Sequence, residues 1–104
     1  MISASALQAQ ANRNRRTIVD MIHTANAGHP GGSLSVIDVL TAIYATDVDL
    51  KAAERSRVVL SKGHAVPAQY AVLHSYGVLS DEEMKTLRQM DSRLQGHPCS
   101  HRLP

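Results

Sequence analysis

Three histidines sit at breaks in the local pattern of this sequence. They occur in Gly28-His29-Pro30-Gly31-Gly32-Ser33, Ser61-Lys62-Gly63-His64 and Gln95-Gly96-His97-Pro98. Glycine permits positive φ and proline fixes φ, so both residues punctuate regular structure. A histidine beside them is a side chain carried on a loop. An imidazole titrates near neutral pH and can donate or accept a proton, which suits acid–base work or hydrogen bonding to an anion. The working expectation is that His29, His64 and His97 are delivered to one place.

The elements that must position them are mostly helical. Leu7, Ala11, Ile18, Ile22 and Ala25 fall near one helical face, which predicts a helix over residues 5–26, capped by Ser5 and ended by Gly28. Arg13, Arg15 and Arg16 on it read as a solvated face or as local ion pairs. Ile37, Leu40, Ile43 and Tyr44 predict a second helix that ends near Ala45, with Ser33 or Ser35 as its cap and Ser35 with Asp38 at capping-box spacing. A polar connection, residues 47–57, follows. Arg57-Val58-Val59-Leu60-Ser61 is short, apolar and β-branched, the pattern of a buried parallel strand.

Lys62-Gly63-His64 then reads as a strand-to-helix turn. Pro67 suits the first turn of a third helix, which Val66, Tyr70 and Leu73 continue until Gly77. Ser80-Asp81-Glu82-Glu83 is a capping box opening a fourth helix through about Met90, and from Asp91 onward the chain reads as loop. The inventory is α/β, with four helices and one convincing strand. A lone strand leaves its backbone groups without partners, so the sheet is incomplete and its other strands are expected elsewhere.

Two of the breaks carry more specific chemistry. Gly31 and Gly32 remove side chains where something must approach the backbone, and the N-terminus of the following helix offers N–H groups and a partial positive charge. His64 lies at the carboxyl end of the expected strand, where open parallel sheets bind ligands. There it can donate to a phosphate oxygen. Metal-site spacings of the i, i+4 helical or paired-cysteine kind are lacking. His23 and His74 fall inside helices and read as structural.

Composition narrows the class further. In 104 residues, 43% are hydrophobic, which fits one small folded domain. The formal charge of +2 demands neither nucleic acid nor an anionic membrane. Cys99 is the single cysteine, so no intrachain disulfide can form and a reducing, cytoplasmic setting is expected. No apolar run approaches the roughly 20 residues of a spanning helix.

Ala27-Gly28-His29-Pro30-Gly31-Gly32-Ser33-Leu34-Ser35, Val59-Leu60-Ser61-Lys62-Gly63-His64-Ala65 and Ser92-Arg93-Leu94-Gln95-Gly96-His97-Pro98 together resemble the N-terminal region of transketolases, in the same order and spacing. Arg15-Arg16-x-Ile-Val-x-Met-Ile also matches. The two glycines after Pro30 resemble most the form split into separate N- and C-terminal subunits. The resemblance implies an α/β domain that binds thiamine diphosphate with Mg2+ or another divalent cation. It implies transfer of a two-carbon ketol unit between sugar phosphates. By the same resemblance His64 contacts the cofactor diphosphate, and His29 and His97 face the substrate as catalytic residues.

The resemblance also marks what is missing from these 104 residues. The Gly-Asp-Gly…Asn motif that holds the metal is not in them, nor is the region that supplies the activating glutamate. The expectation is therefore an N-terminal segment, residues 1–104, truncated before the metal-binding motif. It would work with a complementary C-terminal region or subunit, as a homodimer or heterotetramer, with an isolated chain that is inactive. The alternative is a non-catalytic remnant or a dimerising interaction module. Cys99 stands where the family often has an acid, and His101 matches no family role.

Overall fold

The computed structural model describes residues 3–26, 30–46, 48, 50–51 and 56–95. Four α-helices follow in order: α1 (Ala4–Ala25), α2 (Pro30–Thr46), α3 (Val66–Ser75) and the short α4 (Asp81–Met84). A 3₁₀ turn, Gly63–Ala65, leads into α3. Helices α1, α2 and α3 each pack against the other two.

α3 is the centre of the arrangement. Every residue from Ala65 to Leu73 is buried, so this helix is covered on all sides. Its sequence allows this: Ala68 and Ala71 let neighbours come close, while Val66, Tyr70, Val72 and Leu73 fill the space between them. Ile18 and Met21 of α1 and Ile37, Leu40 and Tyr44 of α2 complete one side. Leu79, Met84, Leu87 and Leu94 come from the segment after α3 and join the same core.

Two boundaries of α1 differ from expectation. Ser3, not Ser5, is the N-cap, its Oγ accepting from the Ala6 N–H at 3.1 Å. At the other end Asn26 adopts the left-handed conformation (φ 52°), so the helix closes before Gly28, which lies outside the described residues. Asparagine tolerates this conformation because its short polar side chain can bond locally. Hydrophobic periodicity also missed Asn14, which is 2% exposed and donates to Thr41 Oγ1 of α2 at 3.1 Å. That bond fixes how α1 lies along α2.

α2 starts at Pro30, earlier than a Ser33 or Ser35 cap would place it. Both serines therefore lie inside the helix. Ser35 Oγ turns back to donate to Gly32 O at 2.9 Å, and Asp38 pairs with Arg15 at 2.5 Å instead of closing a capping box. Proline suits the start because its missing N–H would have had no helical acceptor there.

The strand expected at residues 57–61 is not seen as one among the described residues. Residues 56–60 belong to no regular element, and their side chains alternate: Val58 and Leu60 pack against the core while Val59 is 86% exposed. They form no ladder with any described residue. A strand needs a second strand to take its N–H and C=O groups, and the described elements are otherwise helices and turns. Among the described residues the regular elements are thus helical.

The end of α3 was legible in the sequence. Gly77 has φ +80°; its N–H donates to His74 O at 2.9 Å, and the Val78 N–H donates to Leu73 O at 3.1 Å. These are the two bonds of a Schellman closure, and both Val78 and Leu73 belong to the core contact that accompanies it. His74 accepts the role foreseen for it, its Nε2 standing 2.6 Å from Asp81 Oδ1 across the α3–α4 junction.

α4 opens as expected, Ser80 Oγ accepting from the Glu83 N–H at 3.1 Å, but it stops at Met84 instead of near Met90. The Lys85 and Thr86 N–H groups shift to i→i−3 acceptors, and Arg88 (φ 63°) and Asp91 (φ 66°) take left-handed conformations. The Arg88 N–H then bonds Leu94 O at 2.6 Å, folding the chain back on itself. Helix period alone does not reveal that closure. Glu83 and Arg93 brace it with two bonds of 2.7 and 2.8 Å.

Two measurements check this fold. Gly77→Ala would meet no atom within 4 Å, so its cost is the backbone alone, about 1–2 kcal/mol. Gly31→Ala also meets nothing within 4 Å and sits at ordinary helical φ, so it should stabilise by about 0.4–1 kcal/mol. Denaturant unfolding should give opposite signs for the two variants; equal signs would contradict the assigned conformations. The second concerns acid. The hydrogen bonds from Arg93 hold the Glu83 carboxyl below its ordinary range. The charged form is thus favoured in the folded state. Its stabilisation is complete above the unfolded carboxyl's pKa and is lost as pH falls through the lowered folded value. Glu83→Gln should therefore lose less stability than the unaltered chain between neutral pH and about pH 3. Parallel stability curves would show that the pair contributes nothing.

Candidate functional site

The first two histidine-bearing stretches meet at the N-terminal ends of α2 and α3. A Cβ added to Gly32 would lie 3.1 Å from both Cδ2 and Nε2 of His64, and 3.7 Å from Ala65 Cβ. The imidazole thus lies against a bare Cα, and a side chain at position 32 would push it back by a few tenths of an ångström. Ser33, fully buried, donates to Ala65 O at 3.2 Å. Lys62 Nζ donates to Ser35 Oγ at 3.0 Å, and that hydroxyl donates in turn to Gly32 O. These contacts knit residues 32–35 to residues 62–65.

Burial divides this corner sharply. Gly63 and Ala65 are buried while the side chain between them, His64, is exposed. The backbone is anchored and the ring is presented outward. α2 (17 residues) and α3 (10 residues) both begin at this corner, and of the two α2 is the one with donors to offer, because the Val66 N–H bonds Gly63 O and Pro67 has no N–H. Helix starts carry N–H groups without helical acceptors and a partial positive charge. The donor set is therefore backbone N–H, an imidazole, an ammonium and hydroxyls, which suits a phosphate or diphosphate. Gly31 adds room: its missing Cβ is not required by any neighbour in the chain.

The third stretch is represented by residues 92–95. Leu94 is fully buried, and Gln95 O accepts from Tyr70 Oη of α3 at 2.5 Å. His29 and His97 themselves lie outside the described residues, as do Cys99 and His101. Of the three imidazoles, His64 is placed, beside Gly32. Gln95, two residues before His97, is bonded to Tyr70 of α3, the helix that follows the His64 turn. Among the described residues no three His, Cys, Asp or Glu side chains gather as a metal set.

Ser35 and Lys62 stand inside the motifs singled out above, but their contact with each other and the part played by Tyr70 were not foreseen. Tyr70 carried a readable signal, because a tyrosine in an otherwise apolar, buried helix must find a partner for its hydroxyl. Lys62 and Ser35 carried none, since their contact spans 27 positions. A separate cavity of about 370 Å³, lined by Val48, Leu50, Lys51, Tyr76, Gly77 and Val78, uses none of these residues. Among the described residues no helix is long and apolar enough to cross a membrane.

Comparison with known proteins agrees with this geometry. Residues 6–104 match the family model described as transketolase, thiamine diphosphate binding domain. Among similar proteins is an apulose-4-phosphate transketolase subunit of Phocaeicola vulgatus, 39% identical over 93% of this chain and 36% of that protein. A 6-deoxy-6-sulfo-D-fructose transketolase subunit of Clostridium sp. is 40% identical over 88% of this chain and 35% of its own length. Mouse transketolase is 36% identical over 89% of this chain, but only 16% of its length is covered. The chain thus spans about a third of these subunits and about a sixth of that longer enzyme. A crystal structure of Campylobacter jejuni transketolase superimposes with a TM-score of 0.86 at 38% identity, over 98% of this chain and 17% of that one. With nearly all of its length matched by the family model, the chain belongs to the transketolase family, within the thiamine diphosphate binding domain.

Proposed function

We propose that this chain supplies the first part of the cofactor site of a transketolase-type enzyme, one that moves a two-carbon ketol unit from a ketose phosphate to an aldose phosphate. The observation that carries the reading is the seat of His64 on the bare Cα of Gly32, at the meeting of two helix N-termini. In this reading the segment ends before the metal-binding motif. The divalent cation, Mg2+ or another, takes its ligands from outside these residues. A complementary C-terminal region or subunit completes the site, as the names of the subunit-type relatives favour, in a homodimer or heterotetramer in the cytoplasm.

Each residue has a distinct task. His64 donates a hydrogen bond to a diphosphate oxygen, and the start of α2 at Gly31–Gly32 offers N–H groups beside it. Lys62 adds positive charge from the same corner. Thiamine diphosphate, when bound, supplies the carbon nucleophile for breaking and making the carbon–carbon bond. His29 and His97 bond the sugar hydroxyls and take or return the proton that leaves one of them.

The test is His64→Ala in the assembled enzyme, this chain with its complementary region. Removing one hydrogen bond to a charged group costs about 1.5–3 kcal/mol, so the cofactor dissociation constant should rise roughly 10- to 100-fold. Unchanged cofactor affinity would overturn the assignment of His64. The 104 residues alone should show no sub-micromolar binding of thiamine diphosphate by calorimetry, because the metal ligands and the partner wall are not in them. Tight binding by the chain alone would refute the divided site.

A further inference from the structure

We infer that Ser35 is a positioning residue: its hydroxyl holds the Lys62 ammonium at the start of α2 without neutralising it, leaving that charge for the cofactor's diphosphate. The inference rests on the function proposed above, and it adds a residue that the family resemblance does not assign. Lys62 is fixed at both ends. Its carbonyl accepts from the Ala65 N–H at 2.9 Å, at the head of the 3₁₀ turn, and its Nζ donates to Ser35 Oγ at 3.0 Å, 27 positions away. Ser35 Oγ in turn donates to Gly32 O at 2.9 Å. An ammonium can only donate and a hydroxyl has one proton, so the bonds run in a single direction, from Lys62 through Ser35 to Gly32. They end on the residue whose bare Cα seats the His64 ring. The ammonium and the imidazole thus share one reference point.

What Lys62 is bonded to matters. It is half-buried, and among the described residues no carboxylate pairs with it, whereas Arg15 pairs with Asp38, Arg16 with Asp20 and Arg93 with Glu83. A carboxylate beside Lys62 would orient it equally well and cancel much of the attraction it could offer an anion. A serine orients it and leaves the charge whole. Of the ammonium's three protons Ser35 takes one. An unheld lysine side chain samples many rotamers, so fixing one beforehand removes that entropy cost from the binding of an anion. Ser35 itself is exposed and lies outside the core, so the bond it makes to Lys62 is separable from the packing of the fold.

Calorimetry of thiamine diphosphate binding to the assembled enzyme, this chain with its complementary region, tests this in a double-mutant cycle. Lys62→Met should raise the dissociation constant about tenfold. Ser35→Ala should raise it about threefold or more. The double variant should bind no worse than Lys62→Met alone. Ser35→Thr keeps a hydroxyl that can bond the same carbonyl, and should restore the affinity to within about twofold of the unaltered enzyme. Alanine is the better helix former at an exposed position, so without cofactor Ser35→Ala should unfold no earlier than the unaltered protein. Unchanged affinity in Ser35→Ala would overturn the proposal. Losses that add in the double variant would do the same, since Ser35 would then act apart from Lys62, and so would lost affinity matched by lost stability. A raised KM for the ketose phosphate with cofactor affinity unchanged would also overturn it, by placing the ammonium at the sugar's phosphate. Inorganic pyrophosphate, titrated into the same proteins, separates these results from failure of the proposed function. If thiamine diphosphate binds none of them yet pyrophosphate follows the cycle, the transketolase reading falls and the assignment of Ser35 to Lys62 stands. If pyrophosphate binds all of them equally, the assignment falls by itself.

Discussion

The burial of α3 on every side is the constraint on which the molecule depends. Fully burying a side chain such as Val66, Val72 or Leu73 is worth about 1.5–3 kcal/mol. Those contributions are available only if α1, α2 and the segment around Leu79–Leu94 all close on the same ten-residue helix. Because α3 is held from all sides, its N-terminal end becomes a fixed point. His64, one residue outside the buried run, inherits that fixity while remaining open to solvent. A rigid scaffold presenting an exposed imidazole is what a phosphate-recognising corner requires.

Glycines at positions 31, 32 and 77 show how differently one residue type can be used. Gly77 provides the positive φ that ends α3. Gly32 provides closeness, since the ring of His64 occupies the space a side chain would take. Gly31 provides neither to the chain itself, at a helical position where alanine would be more stable. The cost of that glycine is understandable if the open space faces a bound group instead of a neighbouring residue. The same corner uses Ser33 and Ser35: the buried Ser33 hydroxyl bonds Ala65 O and the exposed Ser35 hydroxyl accepts from Lys62, and these bonds keep the two helix starts together.

Much of this was legible in residue order. The helix faces, the capping role of Ser80 and the Gly77 stop all follow from local pattern. What was not legible depends on contacts far apart in sequence. Asn14 is polar by type yet buried because Thr41 faces it. The short α4 reflects the return bond from Arg88 to Leu94, which no helical period encodes. Arg57–Ser61 has the composition of a strand, but a ladder is a property of two segments, and among the described residues only one is present. The resemblance to transketolases supplied the chemistry of the three histidines; local physics supplied only that they sit at breaks.

The central claim is that the corner formed by Gly32, Lys62 and His64 receives the diphosphate of thiamine diphosphate. The most direct measurement is a crystal structure of the assembled enzyme with that cofactor bound. The account predicts a diphosphate oxygen about 2.7–3.2 Å from a His64 ring nitrogen, with the phosphate group lying over the starts of α2 and α3. A diphosphate seated away from both helix starts, with the His64 ring in contact with protein alone, would contradict it.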